Sequence, residues 1–66
     1  MKVDYNKLWY LLDIKSISKK EFREKTKIGS STYTQLLHNK NVSTASLIRI
    51  CEYLNCQISD IVEAVD

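Results

Sequence analysis

Proline is absent from the 66 residues of this chain, and glycine occurs only once, at Gly29. Because these two residues build most tight turns, their scarcity favours helices over a turn-rich β fold. No apolar run approaches the roughly 18 residues that a membrane-spanning helix needs. The first ten residues also lack the basic-then-apolar order of a signal peptide, so we expect a cytoplasmic protein with no membrane-bound part.

Cysteine and histidine are almost as scarce, since Cys51, Cys56 and His38 are their only examples. A disulfide-stapled domain of this size would use about four or more cysteines. Zinc sites use paired ligands at short spacing, and His38 lies far from both cysteines in the sequence. We therefore predict two reduced thiols in or near the core, with no metal and no cofactor.

The length of the chain restricts its organisation to a single domain, residues 1–66. A catalytic site would need a base held beside a nucleophile or a metal, in a pocket that excludes water. His38 lies among serines and threonines, but its own predicted helix offers no carboxylate to orient it. We therefore expect a protein that is not an enzyme.

Charge is distributed unevenly along the chain. Residues 1–42 hold nine of the ten Lys and Arg against four acidic residues, whereas residues 43–66 hold one basic and four acidic residues. The two parts therefore carry +5 and −3, which sum to the net charge of +2. Such a charge dipole suggests a face for a polyanion, although an ordinary solvated surface would also fit.

Apolar spacing and helix-start signals together predict an all-α bundle of five helices. Apolar residues recur at i, i+3, i+4 and i+7 from Tyr5, from Leu47 and from Ile58, as in amphipathic helices. Four pairs have the spacing of a hydrophobic staple, which fixes the entry into a helix: Val3 with Leu8, Ile17 with Phe22, Ile28 with Tyr33, and Val42 with Leu47. The predicted helices are residues 5–15, 19–26, 30–38, 44–55 and 59–65.

Local signals refine this prediction at particular residues. Ser18 and Glu21 have the spacing of a capping box at the start of the second helix. Asn39 can end the third helix, because Asn tolerates the left-handed conformation. Trp9 shares its helix with buried-type neighbours, which favours a core anchor over an exposed stacking platform.

The third predicted helix differs from an ordinary solvated helix. Tyr33, Leu36 and Leu37 are expected to form its buried face. The opposite face carries only short or uncharged hydrogen-bonding groups and one histidine: Ser31, Thr34, Gln35 and His38. Gln can pair bidentately with adenine in the major groove, and Ser and Thr can hydrogen-bond several bases.

Basic residues flank this helix on both sides: Lys19, Lys20, Arg23, Lys25, Lys27 and Lys40. At Lys19, the start of the second helix, a backbone phosphate would meet both a lysine and free helix-end amides. An uncharged reading face between basic flanks indicates recognition of the DNA major groove. The alternative from these residues alone is a polar helix with incidental lysines.

The stretch from Ser18 to Asn39, SKKEFREKTKIGSSTYTQLLHN, resembles the helix-turn-helix of the phage-repressor and Cro family, the XRE-type regulators. The tail NVSTASLIRICEYLNCQISDIVE is similar to the fourth and short fifth helices of that family. The resemblance extends from about Tyr5 to Glu63. It implies a lambda-repressor-like DNA-binding domain whose second and third helices form the helix-turn-helix, with the third helix in the major groove.

Site residues follow from this resemblance by position. It implies that bases are read by Ser30, Ser31, Thr34 and Gln35. It implies that phosphates are bound by Lys19, Lys40 and Asn41, with His38 as an accessory contact. Lys20 and Lys27, from the basic flanks, complete the expected phosphate-binding residues. The family usually has Gly at the turn where Lys27 stands, so we expect a differently shaped turn in which Gly29 absorbs the irregularity.

The expected function is sequence-specific binding of double-stranded DNA by a transcription regulator, with repression as the favoured mode. A protein-interaction module, such as an antitoxin or a regulatory subunit, is the alternative. Because one such domain reads few base pairs, we expect a homodimer on an inverted-repeat operator, formed either in free solution or only on DNA. The predicted dimer contact is the fifth helix, through Ile58, Ile61, Val62 and Val65.

Overall fold

The computed structural model of the protein describes all 66 residues. It contains four α-helices, α1 (Asn6–Ile14), α2 (Lys19–Thr26), α3 (Ser30–Leu37) and α4 (Thr44–Leu54). A short 3₁₀ helix follows at Ile58–Asp60, and the chain ends form strands β1 (Lys2–Asp4) and β2 (Glu63–Val65). The four α-helices begin and end within one residue of their predicted bounds, so this part of the prediction is confirmed.

Local signals explain where these helices begin and end. Ser18 Oγ accepts a hydrogen bond from the Glu21 amide at 3.1 Å, and Ser43 Oγ accepts one from the Ser46 amide at 3.2 Å. These side chains satisfy amides that have no partner within the helix. Asn39 adopts the left-handed conformation after α3, with φ of 54°, as predicted.

The core lies where the four helices meet. Its apolar side chains are buried and come from every α-helix, from the residue before α1, from the turn after α2 and from the segment after the 3₁₀ helix: Tyr5, Leu8, Leu12, Phe22, Ile28, Leu36, Ile50, Cys51, Leu54 and Ile61. Trp9 is half-buried and packs against this core from α1. None of the helices combines the length and the apolar character that crossing a membrane would require.

The prediction of a fifth α-helix over residues 59–65, and with it of an all-α bundle, is wrong. The chain forms only the 3₁₀ helix and then extends into β2. At the start of the 3₁₀ helix, the Asp60 carboxylate accepts a hydrogen bond from the Gln57 amide at 2.9 Å. Strand β2 pairs antiparallel with β1, so that Val3 lies opposite Ala64. A short helix gains little by itself, whereas β1 offers backbone partners that the helix prediction ignored.

Both cysteines are free thiols, with Cys51 buried and Cys56 half-buried. The Cys56 amide donates to the Cys51 carbonyl at 3.1 Å across the end of α4. Burial, followed by the neighbouring Cys51 thiol, raises the pKa of Cys56 to about 11. At neutral pH the Cys56 side chain therefore behaves as a small apolar group beside the buried Cys51.

Candidate nucleic-acid interface

The first element of the candidate interface is α2, whose amino end is exposed and basic. Lys19 and Lys20 occupy its first two positions and are both exposed. Ser18 caps the Glu21 amide, and the remaining amides of the first turn have no partner within the helix. Positive helix-end charge and two lysines therefore coincide at one place, as a phosphate-binding site requires.

The turn between α2 and α3 is built differently from the sequence expectation. Lys27 itself adopts the left-handed conformation, with φ of 57°, and its amide donates to the Arg23 carbonyl at 3.0 Å. Gly29 has an ordinary φ of −71° and a β carbon there would meet nothing within 4 Å. The expectation that Gly29 absorbs the irregularity is therefore wrong, because the chain reverses at Lys27.

Helix α3 presents most of the predicted base-reading residues to solvent. Ser30, Ser31 and Thr34 are exposed, and Gln35 is half-buried at the edge of the same surface. Leu36 is fully buried and Tyr33 is half-buried, so they hold α3 on the core. Leu37, which the sequence placed on the buried face, is 42% exposed, so that part of the prediction is wrong.

The loop after α3 is fastened by two hydrogen bonds from Tyr5. The Tyr5 hydroxyl donates to the Lys40 carbonyl at 2.7 Å, and the Tyr5 amide donates to Asn39 Oδ1 at 3.1 Å. Burial, partly opposed by a backbone hydrogen bond at Val42, raises the pKa of Tyr5. The Tyr5 hydroxyl thus keeps its proton and, through its hydrogen bond, holds the backbone that carries Lys40 and Asn41.

Sequence reasoning placed Tyr5 only in the core and missed this role. A buried tyrosine usually finds a hydrogen-bond partner for its hydroxyl, so its residue type was the available signal. The partner lies 35 residues away in the chain, and spacing alone could not identify it.

The predicted phosphate-binding residues do not form one cluster. His38, Lys40 and Asn41 line a common surface depression of about 480 Å³, together with Lys2 from β1, which the sequence reading did not single out. Lys19 and Lys27 lie at opposite ends of α2, about 12 Å apart along the helix axis. The predicted phosphate-binding residues therefore lie in three separate places, at the start of α2, at the turn and after α3.

Two cations of α2 lie on aromatic rings from the neighbouring helices. Lys19 Nζ lies 5.0 Å from the centre of the Trp9 ring, and Arg23 Cζ lies 4.5 Å from the centre of the Tyr33 ring. Trp9 and Tyr33 meet edge to face at 6.2 Å, and Trp9 meets Phe22 in the same way at 6.1 Å. From the sequence, Lys19 was expected to contact phosphate and Arg23 to be a basic flank, and the rings had no expected part in the interface.

The predicted dimer surface is not presented as a common face. Ile61 is fully buried, and its side chain packs inside the core of its own chain. Ile58 is 38% exposed, whereas Val62 and Val65 are half-buried. The assignment of Ile61 to a dimer contact is therefore wrong, because an i, i+3 pattern places it on a helix that does not form.

Comparisons with known proteins agree with this geometry. A family model described as a Cro/C1-type helix-turn-helix DNA-binding domain matches residues 7–66. A crystal structure of the transcriptional regulator VanUg is similar, with 48% sequence identity and a TM-score of 0.94. That alignment covers 97% of this chain and 85% of the VanUg chain. No curated protein sequence matches the chain.

Proposed function

The chain belongs to the family of Cro/C1-type helix-turn-helix DNA-binding domains, and from this we propose that it is a transcription regulator that recognises a specific duplex sequence. Helix α3 enters the major groove, while α2 crosses the backbone beside it. Repression by occupying an operator is the proposed mode of regulation. The similarity to the VanUg regulator supports the regulatory role.

The outward surface of α3 is the observation that carries this proposal. Its exposed residues include Ser30, Ser31 and Thr34, and no acidic side chain occurs in the helix. Short hydroxyl groups at the amino end of a recognition helix can approach base edges closely, and Gln35 at its margin can pair with adenine. Acidic residues, which would repel the phosphates, are absent from this surface.

Phosphate contacts supply most of the affinity in this proposal. Lys19 and Lys20 bind the backbone on one side of the groove, Lys27 binds beside the turn, and the loop after α3 binds through His38, Lys40 and Asn41. The hydrogen bonds from Tyr5 support the loop assignment, because they hold its backbone in one position. These contacts set the register of α3 on the duplex and carry no sequence information.

Selection from random duplex DNA, followed by anisotropy titration of the enriched sequence, tests the proposal. If four to six phosphates are neutralised, log K should fall with log salt at a slope of about −4 to −5. Lys19→Ala should weaken binding to all sequences alike, whereas Gln35→Ala should cost about 1–3 kcal/mol on the selected sequence and little elsewhere. A slope near zero would contradict DNA binding.

Lys25→Ala is the matched control for Lys19→Ala, because both substitutions remove one positive charge from α2. Lys25 lies on the side of α2 that carries Glu21, whose carboxylate accepts a hydrogen bond from Tyr53 of α4 at 3.3 Å. That side meets α4, whereas Arg23, on another side of α2, lies over Tyr33 of α3. Equal losses for both variants would mean that only net charge matters, and would remove the assigned role of Lys19.

We further propose that two copies bind an inverted-repeat operator. A single domain buries about 600–1,000 Å² on DNA, which is too little to select one site in a genome. Two-fold pairing would place the half-sites about 34–36 Å apart. Ile58, Val62 and Val65 remain candidates for the contact, without Ile61. Sedimentation on a selected duplex tests this, since one-to-one binding on an asymmetric site would exclude the dimer.

A protein-interaction role is a second candidate, and one feature favours it. Tyr10 and Ile14 are 69% and 61% exposed on α1, beside a groove of about 460 Å³ that reaches the end of α4. Exposed apolar residues beside a groove are typical of surfaces that bind another protein. Failure of the selection to enrich any duplex, with the protein folded, would favour this candidate over DNA recognition.

A further inference from the structure

Lys19 and Arg23 differ from the other cations of α2 in what lies beneath them. They are four residues apart, so they project from one side of the helix. On that side Trp9 of α1 lies under the Lys19 ammonium, and Tyr33 of α3 lies under the Arg23 guanidinium. The edge-to-face contact between the two rings joins them into one aromatic support under both cations.

An aromatic support has a different effect on a cation from that of a carboxylate. The ring face attracts the positive charge through its quadrupole, so the long side chain is held in place. Unlike a carboxylate, the ring is neutral and does not cancel the charge. The N–H groups that point away from the ring therefore stay available, and the net charge of the site is undiminished.

We propose that Trp9 and Tyr33 are positioning residues for phosphate binding, and that Arg23 is a phosphate-binding residue beside Lys19. This inference rests on the proposed DNA-binding function. Lys and Arg side chains lose rotamer freedom when they bind a phosphate, and preorganised side chains lose less. The rings therefore increase the affinity for DNA of any sequence without touching the DNA themselves.

The position of α2 supports the assignment of Arg23. Its guanidinium is drawn toward α3 by Tyr33, which lies on the recognition helix itself. Arg23 lies one helical turn, about 6 Å, after Lys19 and on the same side of α2, so its guanidinium can reach the same stretch of DNA backbone that Lys19 contacts.

A double-mutant cycle on duplex DNA of random sequence tests the inference, because random DNA reports phosphate contacts alone. Trp9→Leu should weaken binding about two- to fivefold when Lys19 is present and have no effect in the Lys19→Ala background. Tyr33→Leu should behave in the same way toward Arg23→Ala. Equal losses in both backgrounds would mean that the rings act only through stability, and would overturn the inference.

Two further readouts separate positioning from folding. Trp9→Phe and Tyr33→Phe keep a ring under each cation and should retain most of the affinity, whereas the leucine variants should not. Trp9→Leu should leave the salt slope unchanged, because Lys19 still reaches its phosphate, whereas Lys19→Ala should reduce its magnitude by about one. Lys25→Ala, the matched loss of charge, should show no coupling to Trp9.

The outcome for the unmodified protein distinguishes the two proposals. If it binds no duplex, both the DNA-binding function and the inference fail. If it binds and the losses in the cycle are additive, only the inference fails. Circular dichroism should show each variant to be folded under the titration conditions, and a leucine variant that is unfolded is replaced in the cycle by the methionine variant (Trp9→Met or Tyr33→Met), which also removes the ring.

Discussion

Two regions of this protein are stabilised in contrasting ways. The recognition region, residues 18–43, holds six basic and two acidic side chains, and its helices begin and end at local caps and left-handed residues. The terminal region, residues 1–5 and 57–66, holds one basic and four acidic side chains, and its strands depend on each other. Local interactions thus shape the recognition region, whereas a long-range pairing shapes the terminal region.

Tyr5 connects the two regions. It follows β1 directly, its ring is buried in the common core, and its hydroxyl and amide reach the loop after α3. The terminal sheet therefore contributes to the position of Lys40 although it carries none of the assigned DNA contacts. The contrast between the regions is one of construction, and the four predictions that follow test how far they are energetically separate.

The largest effects are expected from the buried anchors of each region. Leu36 in the recognition region and Ile61 in the terminal region are both fully buried, so replacing either by alanine leaves a cavity. We expect each variant to lose about 2–5 kcal/mol in the free energy of unfolding, measured with urea. Ile58→Ala, at an exposed neighbour, should lose far less. If Ile61→Ala lowered the free energy of unfolding by less than about 1 kcal/mol, the terminal region would contribute little to the stability of the core.

Asn39 should show the next largest effect, because it combines a left-handed backbone with the hydrogen bond from Tyr5. Asn39→Ala should cost about 2 kcal/mol, roughly half from the strained backbone and half from the lost hydrogen bond. Asn39→Gly removes the backbone strain and should cost about 1 kcal/mol. Both are measured by urea unfolding and by titration with DNA.

Asn55 is the matched control, since it has the same φ of 54° at the end of α4, away from Tyr5. Asn55→Ala should cost only the backbone part, and Asn55→Gly should cost almost nothing. If Asn39 and Asn55 responded alike, the bond from Tyr5 to the loop would have no measurable value. The connection between the two regions would then depend on the Tyr5 hydroxyl and ring alone.

Lys27 should reveal strain within the recognition region itself. Because Lys27 is left-handed, Lys27→Gly should raise the free energy of unfolding by up to about 1 kcal/mol. A gain of that size raises Tm by about 4–8 °C in a domain of this length. The same variant should weaken DNA binding by losing a phosphate contact. Lys25→Gly, in the helical part of α2, should instead destabilise the protein. A loss of stability in the Lys27→Gly variant would contradict the expected backbone strain at Lys27.

The smallest effect is expected in the terminal sheet, where Asp4 and Glu63 lie directly opposite each other. Like charges in such a pair are destabilising, so Glu63→Lys should stabilise the protein by about 0.2–1 kcal/mol. The gain should shrink in 1 M salt, where the screening length is about 3 Å. Asp66→Lys, which makes the same change of charge outside the pairing, should give a smaller gain. Equal gains would point to net charge instead of pairing.

The helices of the recognition region could be predicted from the sequence because their signals are local. Ser18 caps α2 and Ser43 caps α4 within three residues of their partners, and Asn39 closes α3 in the conformation its residue type favours. The base-reading and phosphate-binding residues remain assignments by resemblance to a family, and the mutant titrations proposed above are their test. The family itself is confirmed by the match over residues 7–66.

The terminal region could not be predicted in this way, because its pattern is ambiguous. Ile58, Ile61 and Val62 have helical spacing, yet only Ile61 is fully buried and the chain then extends. A short apolar run fits a helix or a strand equally well until a partner is known. That partner, β1, lies about 60 residues earlier in the chain, as in the pairing of Lys2 with Val65.

The sequence by itself thus determined the four α-helices and the polar character of α3, because caps and apolar periodicity act within a few residues. Only the tertiary structure decided where the chain ends pair, which loop Tyr5 holds, and which rings lie beneath Lys19 and Arg23. These contacts join residues that are far apart in the chain or on different helices. Their energies depend on distances that folding creates, and no local pattern encodes those distances.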